Sequence, residues 1–199
     1  MSALTSPLPA NKQTKSVLAH EIQTKADSRW RTEPVKNADP VTSGHHWAAC
    51  LVIEADRALC DLLPSTEARL DAIKAALIKP DAAALRFFMR LMLVFSRDRF
   101  NSLTAYTEHK VPPQYGPAFT FETVDASDDR FVQAVKTCFY NDYFRAAGAP
   151  HLTAAFCAFD TVWINEIDPA RDGIEFRRPT TLAAGDTACR FEFSRRTAD

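Results

Sequence analysis

The chain has 199 residues, a net charge of −1 and 46% hydrophobic residues, a composition that provides one well-filled domain. The near-neutral charge excludes a general nucleic-acid binder, and no apolar run reaches the about 18 residues that cross a bilayer. Five cysteines at irregular spacings and the lack of a signal-peptide core after Met1 favour reduced thiols, so we expect a soluble, cytoplasmic protein without membrane or nucleic-acid partners.

The first 42 residues are rich in Ser, Thr, Lys and Pro and poor in aliphatic side chains. Such a segment buries too little apolar surface to offset the entropy that ordering removes. We therefore expect a disordered or loosely docked arm over residues 1–42, followed by one folded domain over residues 43–199.

Three helices are predicted next, over residues 45–63, 65–78 and 80–99, because each carries apolar side chains at helical spacing. The third has a wide stripe of Phe and Met, which is typical of a helix facing the core. His45 and His46 stand at the start of the first helix and have no matching pair downstream. We interpret them as a solvated helix start.

The second half of the chain mixes helices and strands. Alternation of apolar and polar residues predicts a half-buried strand at residues 119–122. A helix is predicted over residues 128–147, because the Asp-Asp pair at its start would interact favourably with the positive end of the helix dipole. A further helix is predicted over residues 152–167. Two more strands follow, at residues 173–178 and 188–194. This order predicts an α+β domain, with N-terminal helices packed against a small antiparallel sheet and two further helices.

Three cysteines in the last third of the chain fall on elements of different type. Cys138 and Cys157 lie on segments of helical period, and Cys189 lies on a segment of strand period. They meet either in a core, where cysteine is a small hydrophobe, or in a site, where thiols do chemistry. Asp142 follows Cys138 by four positions and so shares its side of the predicted helix. The pattern favours a core cysteine with Asp142 reaching solvent over a pocket.

An acidic residue among large apolar side chains makes a second candidate. Asp160 follows Cys157 by three positions, so the two side chains are neighbours on the predicted helix. Burial without a partner raises a carboxyl pKa toward the range of a general acid or base. Alternatively, Asp160 pairs with an arginine such as Arg145 or Arg177, and the two interpretations stand equal. His151 is near in sequence and is a further candidate base.

Metal and cofactor motifs are missing from the sequence. Structural zinc sites supply cysteines in close pairs such as CxxC, and the chain contains none. It also lacks a glycine-rich phosphate loop and a GxSxG elbow. We therefore expect neither a metal nor a cofactor.

The cysteine motifs resemble those of the L-2-amino-thiazoline-4-carboxylic acid hydrolase family over roughly residues 130–195. Its members have a cysteine on one helix, FCxxD on the next, and TLxxGDxxCxFxF on a strand hairpin. The matching residues here are Cys138, Phe156, Cys157, Asp160, Thr181, Leu182, Gly185, Asp186, Cys189, Phe191 and Phe193. The last motif also resembles small-molecule-binding domains related to bacteriochlorophyll vinyl reductase, which share the α+β layout and need not be enzymes.

The resemblance implies a reaction in which water opens a thiazoline ring and gives N-carbamoyl-L-cysteine. That chemistry requires a nucleophile or an activated water, an acid for the leaving atom and a cation for the substrate carboxylate. Cys157 or Cys138 is then implied as the nucleophile and Asp160 as the base. The residues implied to contact the substrate are Cys189, Asp186 at the mouth, Thr181, Trp163, and Arg177 or Arg178 for the carboxylate.

Three functions follow as alternatives. The first is a hydrolase that opens a C–N or C–S heterocycle with a Cys/Asp pair. The second is an isomerase or cyclase of a biosynthetic, secondary-metabolite pathway on the same fold, and the third is a non-catalytic ligand-binding module. The Phe and Trp residues near the proposed site favour a ligand larger and more apolar than thiazoline carboxylate, and unreactive thiols would favour the second or third function. All three take a small molecule, and a homodimer is left open.

Overall fold

The computed structural model describes residues 11–36, 38–78 and 82–196. Its longer helices are α1 (Lys12–Thr32), α2 (Pro40–Leu59), α3 (Thr66–Ile78), α4 (Ala82–Phe95), α5 (Arg99–His109) and α7 (Phe139–Ala146). Short helices are α6 (Val111–Tyr115), α8 (Thr153–Cys157), α9 (Asp160–Ile164) and α10 (Pro169–Asp172). The strands are β1 (Thr120–Ala126), β2 (Arg130–Thr137), β3 (Ile174–Arg177) and β4 (Cys189–Arg195). The predicted α+β class is confirmed.

The strands form one antiparallel sheet in the order β1-β2-β4-β3. β2 pairs with β4 so that Val135 lies opposite Cys189 and Phe131 opposite Phe193. The two strands predicted at the end of the chain are confirmed, and β4 lies inside the sheet although it comes last in sequence. Cys189 is thereby fixed at the start of an interior strand.

The helix predicted over residues 128–147 is wrong in its first half. Residues 130–137 are strand β2, and the Asp-Asp pair belongs to the connection from β1, where the Ser127 N–H donates to the Arg130 carbonyl at 2.9 Å. All five side chains from Phe131 to Val135 are buried. An interior strand covered on both faces loses the alternation that marks a strand in sequence.

Cys138 therefore does not lie on the predicted helical stripe. It is the extended residue that joins β2 to α7. Asp142 is exposed on α7, and its carboxylate accepts a hydrogen bond from the Asn141 side chain at 3.1 Å. The predicted exposure of Asp142 is confirmed, whereas the helical position of Cys138 is not.

Residues 12–32 form helix α1 and so differ from the predicted arm. Ala26 is fully buried, Arg29 Nε donates to Glu54 Oε1 at 2.7 Å, and the Trp47 indole N–H donates to Asp27 at 2.8 Å. A small buried side chain and ionic contacts hold α1 against α2, so the helix needs no apolar stripe. Residues 1–10 of the predicted arm lie outside the described residues.

A further difference concerns the middle of the chain. The third predicted helix ends at Phe95, and a separate helix, α5, begins at Arg99. None of the described helices is long and apolar enough to cross a membrane.

Buried apolar residues form two clusters on the two sides of the candidate site. One gathers side chains mainly of α2, α3 and α7, including Phe144, together with Leu152 from the turn just before α8. The other gathers side chains of α4, α5, β3 and β4, including Leu93 and Ile174. Their edges meet around a cavity, which both clusters line.

Candidate functional site

A cavity of about 480 Å³ lies between the sheet and the surrounding helices. Five of the sequence-predicted site residues line it, namely Cys138, Cys157, Asp160, Trp163 and Cys189. Most of the remaining wall is aliphatic or aromatic. The structure thus brings the three cysteines of the last third of the chain to one cavity.

Cys157 and Asp160 are held together by a break in the helix predicted over residues 152–167. Cys157 ends α8 and Asp160 begins α9. Between the two helices, backbone hydrogen bonds join residues that are three positions apart, as in the bond from the Thr161 N–H to the Ala158 carbonyl oxygen at 3.1 Å. In such a 3₁₀ turn the side chains at positions i and i+3 eclipse. The tightened turn therefore places the carboxylate on the same side as the thiol.

Asp160 is ion-paired with Arg178. The guanidinium donates to Asp160 Oδ2 at 2.8 Å and lies 3.4 Å from the Cys157 carbonyl oxygen. Both side chains are about four-fifths buried, with 19% and 20% exposed. A pairing arginine was one of the two interpretations of Asp160, but the partner is neither Arg145 nor Arg177.

The pKa of Asp160 is raised by burial in spite of the ion pair with Arg178. Burial raises the pKa of Asp160 from 3.8 to about 6, while Arg178 and the Trp163 side chain act in the opposite direction. A carboxyl group with a pKa near the working pH changes its protonation readily. Both interpretations of Asp160 therefore apply together: it is paired, and it is still an acid–base group near neutrality.

The cavity thiols are held in the neutral form. Burial raises the pKa of Cys138 to about 12 and that of Cys157 to about 11, where the Asp160 carboxylate adds to the shift. Burial also raises the pKa of Cys189, whose Sγ accepts a hydrogen bond from the Leu182 N–H at 3.2 Å. Because the thiolate is the nucleophilic form, these cysteines are unreactive at rest.

Four of the residues implied to contact substrate do not line the cavity: Arg178, which pairs with Asp160, and Thr181, Asp186 and Arg177. The Asp186 carboxylate accepts from the Thr181 N–H at 2.8 Å, and the Thr181 hydroxyl accepts from the Ala184 N–H at 3.2 Å. These bonds organise the turn that leads into β4, where Gly185 adopts a φ of 94°. Arg177 is 79% exposed and faces Glu175. The GD motif supports the loop, and these side chains lie outside the cavity wall.

His45 is a cavity residue that the sequence reasoning missed. His45 Nε2 lies 3.1 Å from the Tyr115 carbonyl oxygen, which can only accept, so Nε2 carries the proton and donates it. The other ring nitrogen, Nδ1, then accepts a hydrogen bond from the Tyr140 hydroxyl at 2.8 Å. Burial lowers the pKa of His45, which keeps the ring neutral. His46 is 2% exposed. The interpretation of both histidines as a solvated helix start is wrong, since aromatic residues distant in sequence cover them.

Gln133 and Thr153 are two of the buried polar side chains in the largely apolar wall. Gln133 donates through Nε2 to the Thr107 carbonyl at 3.2 Å. Thr153 is 2% exposed, and its Oγ1 forms no hydrogen bond with the described part of the chain. His151, the other candidate base, lies outside the cavity wall, with its Nε2 3.5 Å from Asp56 Oδ2.

Over residues 11–36, 38–78 and 82–196, no group of three or more His, Cys, Asp or Glu side chains is arranged to hold a metal ion.

The fold and site define an α+β domain with a largely apolar small-molecule cavity and one acid–base carboxyl group. The sequence model of the L-2-amino-thiazoline-4-carboxylic acid hydrolase family matches residues 45–193, so the chain belongs to this family. The match extends from α2 to β4 and therefore well beyond the cysteine motifs. No curated protein and no solved structure matches the chain significantly.

Proposed function

We propose that the protein is a small-molecule hydrolase that opens a heterocycle at a C–N or C–S bond, with Asp160 as the general base. The observation that carries the proposal is the position of Asp160, whose pKa of about 6 suits proton transfer, on the wall of the cavity. Family membership supports hydrolysis of a small molecule. The hydrolase named by the family acts on L-2-amino-thiazoline-4-carboxylic acid.

The proposed reaction adds one water to an amidine-like ring carbon. As the water oxygen bonds to that carbon, one water proton passes to the Asp160 carboxylate and the electron pair of the C=N bond moves to its nitrogen. That pair then re-forms C=N as the ring C–S or C–N single bond breaks, and the leaving sulfur or nitrogen takes the proton back from Asp160. The resulting C(OH)=N group tautomerises to the carbonyl form. Arg178 positions the carboxylate through Oδ2 and keeps part of it ionised near neutral pH. Atoms and charge balance without a metal or cofactor.

The thiols have a secondary part in this proposal. Cys157 as nucleophile requires transfer of its proton to Asp160, and burial raises the pKa of that thiol to about 11. The neutral thiols at rest favour the water route over a covalent intermediate. Cys138 and Cys189 then form a polarizable wall around the reacting ring.

An isomerase or cyclase is the second candidate. One carboxyl group with a pKa of about 6 in a cavity of about 480 Å³ suits proton transfer within a ring compound without addition of water. Such a reaction needs no nucleophile, which agrees with the neutral thiols.

The test uses two thiazolines, L-2-amino-thiazoline-4-carboxylate and uncharged 2-phenyl-2-thiazoline. The purified protein is incubated with each, and mass spectrometry follows the gain of one water. We expect turnover of at least one compound and a loss of about 100-fold or more in Asp160→Asn, because a general base contributes about 10²–10⁴ to the rate. The exposed Asp142→Asn variant is the matched control and retains turnover.

The Cys157→Ala variant distinguishes the two possible nucleophiles, an activated water and the Cys157 thiol. Retained turnover supports activated water, whereas a loss as large as that of Asp160→Asn assigns the attack to the thiol. If the folded protein adds water to neither thiazoline at high enzyme concentration, the hydrolase proposal is wrong. The isomerase or cyclase then takes its place.

A further inference from the structure

We infer that the substrate of this site is an uncharged, largely apolar ring compound with a hydrogen-bonding atom for Thr153, and is not a small amino-acid-like carboxylate. The inference rests on the proposed function, because it names the substrate class of the same cavity. Size, charge and one unpartnered hydroxyl carry it.

The size of the cavity exceeds the need of a single small ring. Its volume of about 480 Å³ falls in the range of roughly 300–1,000 Å³ that encloses a drug-sized ligand. The wall includes Phe121, Phe159, Trp163 and Phe191, which offer flat apolar surfaces to more than one ring. A lone thiazoline would leave much of this surface uncovered.

The charges around the cavity disfavour an anion. No lysine or arginine stands among the described residues that line the wall, and its one carboxyl group belongs to Asp160. Arg178 is already engaged by that carboxylate at 2.8 Å, and Arg177 points its charge to solvent with 79% exposure. A substrate carboxylate would enter an apolar space without a free cation, which is strongly unfavourable.

The histidine in the wall does not supply the missing cation. Both ring nitrogens of His45 are engaged, by the Tyr115 carbonyl and the Tyr140 hydroxyl, and burial lowers the pKa of the ring. Protonation would put a second N–H against the Tyr140 hydroxyl in a largely apolar cavity. The wall is therefore neutral apart from the paired Asp160, and a neutral ligand matches it.

Thr153 supplies the polar contact that an uncharged ligand still needs. A buried hydroxyl without a partner is costly, and the Thr153 side chain is 2% exposed with Oγ1 unbonded in the described part of the chain. Thr153 and Cys157 are four positions apart on α8 and share one face, with an axial separation of about 6 Å. Thr153 lines the cavity, but Oγ1 itself is covered by protein atoms. A χ1 rotation therefore has to turn the hydroxyl toward the cavity before a ligand atom bonded to it can hold the reacting ring near Asp160.

The test measures binding with a matched pair that the enzyme does not hydrolyse. Isothermal titration of the wild-type protein compares 2-phenylthiazole with 2-phenylthiazole-4-carboxylate, which differ only in the carboxylate. We expect the uncharged thiazole to bind at least about tenfold more tightly, since an unpaired buried anion is costly. Equal or tighter binding of the carboxylate, or binding of neither compound, overturns the inference.

Variants at Thr153 test the anchor. Thr153→Val removes the hydroxyl at nearly constant shape and should weaken binding of 2-phenylthiazole by roughly 2- to 10-fold, the effect of one hydrogen bond. Thr153→Ser should restore the affinity. Thr104→Val is the control, because Thr104 is buried, bonds the Asn101 carbonyl and lies outside the wall. An unchanged affinity in Thr153→Val contradicts the anchor.

The thiazole titration tests the substrate class and the thiazoline reaction tests the hydrolase proposal, so one can fail while the other succeeds. Turnover of the thiazoline carboxylate together with tight binding of the thiazole carboxylate would leave the hydrolase intact and overturn the neutral substrate class. Tight binding of the uncharged thiazole without turnover of any thiazoline would support the neutral substrate class and overturn the hydrolase proposal.

Discussion

Two buried carboxylates, in two regions of the molecule, have different surroundings. Glu54, where α1 packs on α2, accepts hydrogen bonds from Arg29 at 2.7 Å and from Arg57 at 3.1 Å. Asp160, on the cavity wall, accepts one from Arg178 at 2.8 Å. Glu54 is thus shared by two cations in a packed helix interface, whereas Asp160 has one cation and faces a space that a ligand can fill.

The Arg29–Glu54 pair joins two helices, whereas the Arg178–Asp160 pair borders the cavity. A buried carboxylate with two guanidinium partners ties elements together. A carboxylate with one partner and an apolar cavity beside it keeps a pKa of about 6 and can exchange a proton. The experiments below disturb one region at a time.

The largest expected effect is on stability, in the helix interface. Arg29→Met leaves Glu54 with the more exposed Arg57, so the free energy of unfolding should fall by about 3 kcal/mol, as for other broken buried ion pairs. Denaturant unfolding measures the loss, and turnover should not change. Lys25→Met, which removes an exposed pair with Glu21 on the same helix, is the control and should unfold like wild type. A loss of turnover without a loss of stability would contradict this assignment.

The second effect links stability to pH through Asp160. Its pKa is about 6 in the folded protein and 3.8 in its usual environment, so between pH 4 and 6 the folded state binds the additional proton. Stability from this group is therefore present below pH 4 and falls by about 3 kcal/mol as pH rises through 6.

Denaturant unfolding from pH 4 to 7 should show this fall in wild type and not in Asp160→Asn. The variant is needed because Asp39 and Asp98, whose pKa values are lowered by hydrogen bonds, contribute with the opposite sign. Parallel curves for the two proteins would mean that the pKa of Asp160 is not raised.

The third effect is on the pH profile of turnover. If ionised Asp160 is the base, kcat/KM should fall tenfold per pH unit below about 6. Arg178 lowers the pKa of Asp160, so Arg178→Gln should move this limb to higher pH, while Arg178→Lys retains the charge and keeps the limb near wild type. An acid limb that stays in place in Arg178→Gln would remove Asp160 as its origin.

The smallest effect is on thiol modification at neutral pH. Cys60 is exposed, whereas burial raises the pKa of Cys138, Cys157 and Cys189. Iodoacetamide should therefore modify Cys60 first and the three cavity cysteines slowly, as read by peptide mass mapping. Modification of Cys157 at the rate of Cys60 would point to a thiolate and to the covalent route.

The sequence predicted those parts of the fold in which one face of an element is buried. β4 was found because Cys189, Phe191 and Phe193 alternate with more polar residues, and the i, i+3 spacing of Cys157 and Asp160 brought them together as expected. The cavity thiols also lie within residues 45–193, the range that the family model matches.

The remaining features depend on contacts that a local pattern does not contain. β2 is covered on both faces and so lacks alternation, and α1 is held by ionic contacts with residues of α2. His45 enters the cavity wall because Tyr115 and Tyr140 fold over it from far along the chain. The partner of Asp160 is Arg178, which follows the expected Arg177 just past the end of β3 and is far less exposed.

The position of β4 has a consequence for how the protein is made. The strand follows the other three in the chain but inserts between β2 and β3, and the cavity wall draws on residues from His45 to Phe191. On the ribosome, β3 has no neighbour to pair with and the cavity has no complete wall until β4 has emerged. A translation product that stops before Cys189 would thus carry unpaired strand edges and an incomplete cavity wall, which expose it to aggregation and proteolysis.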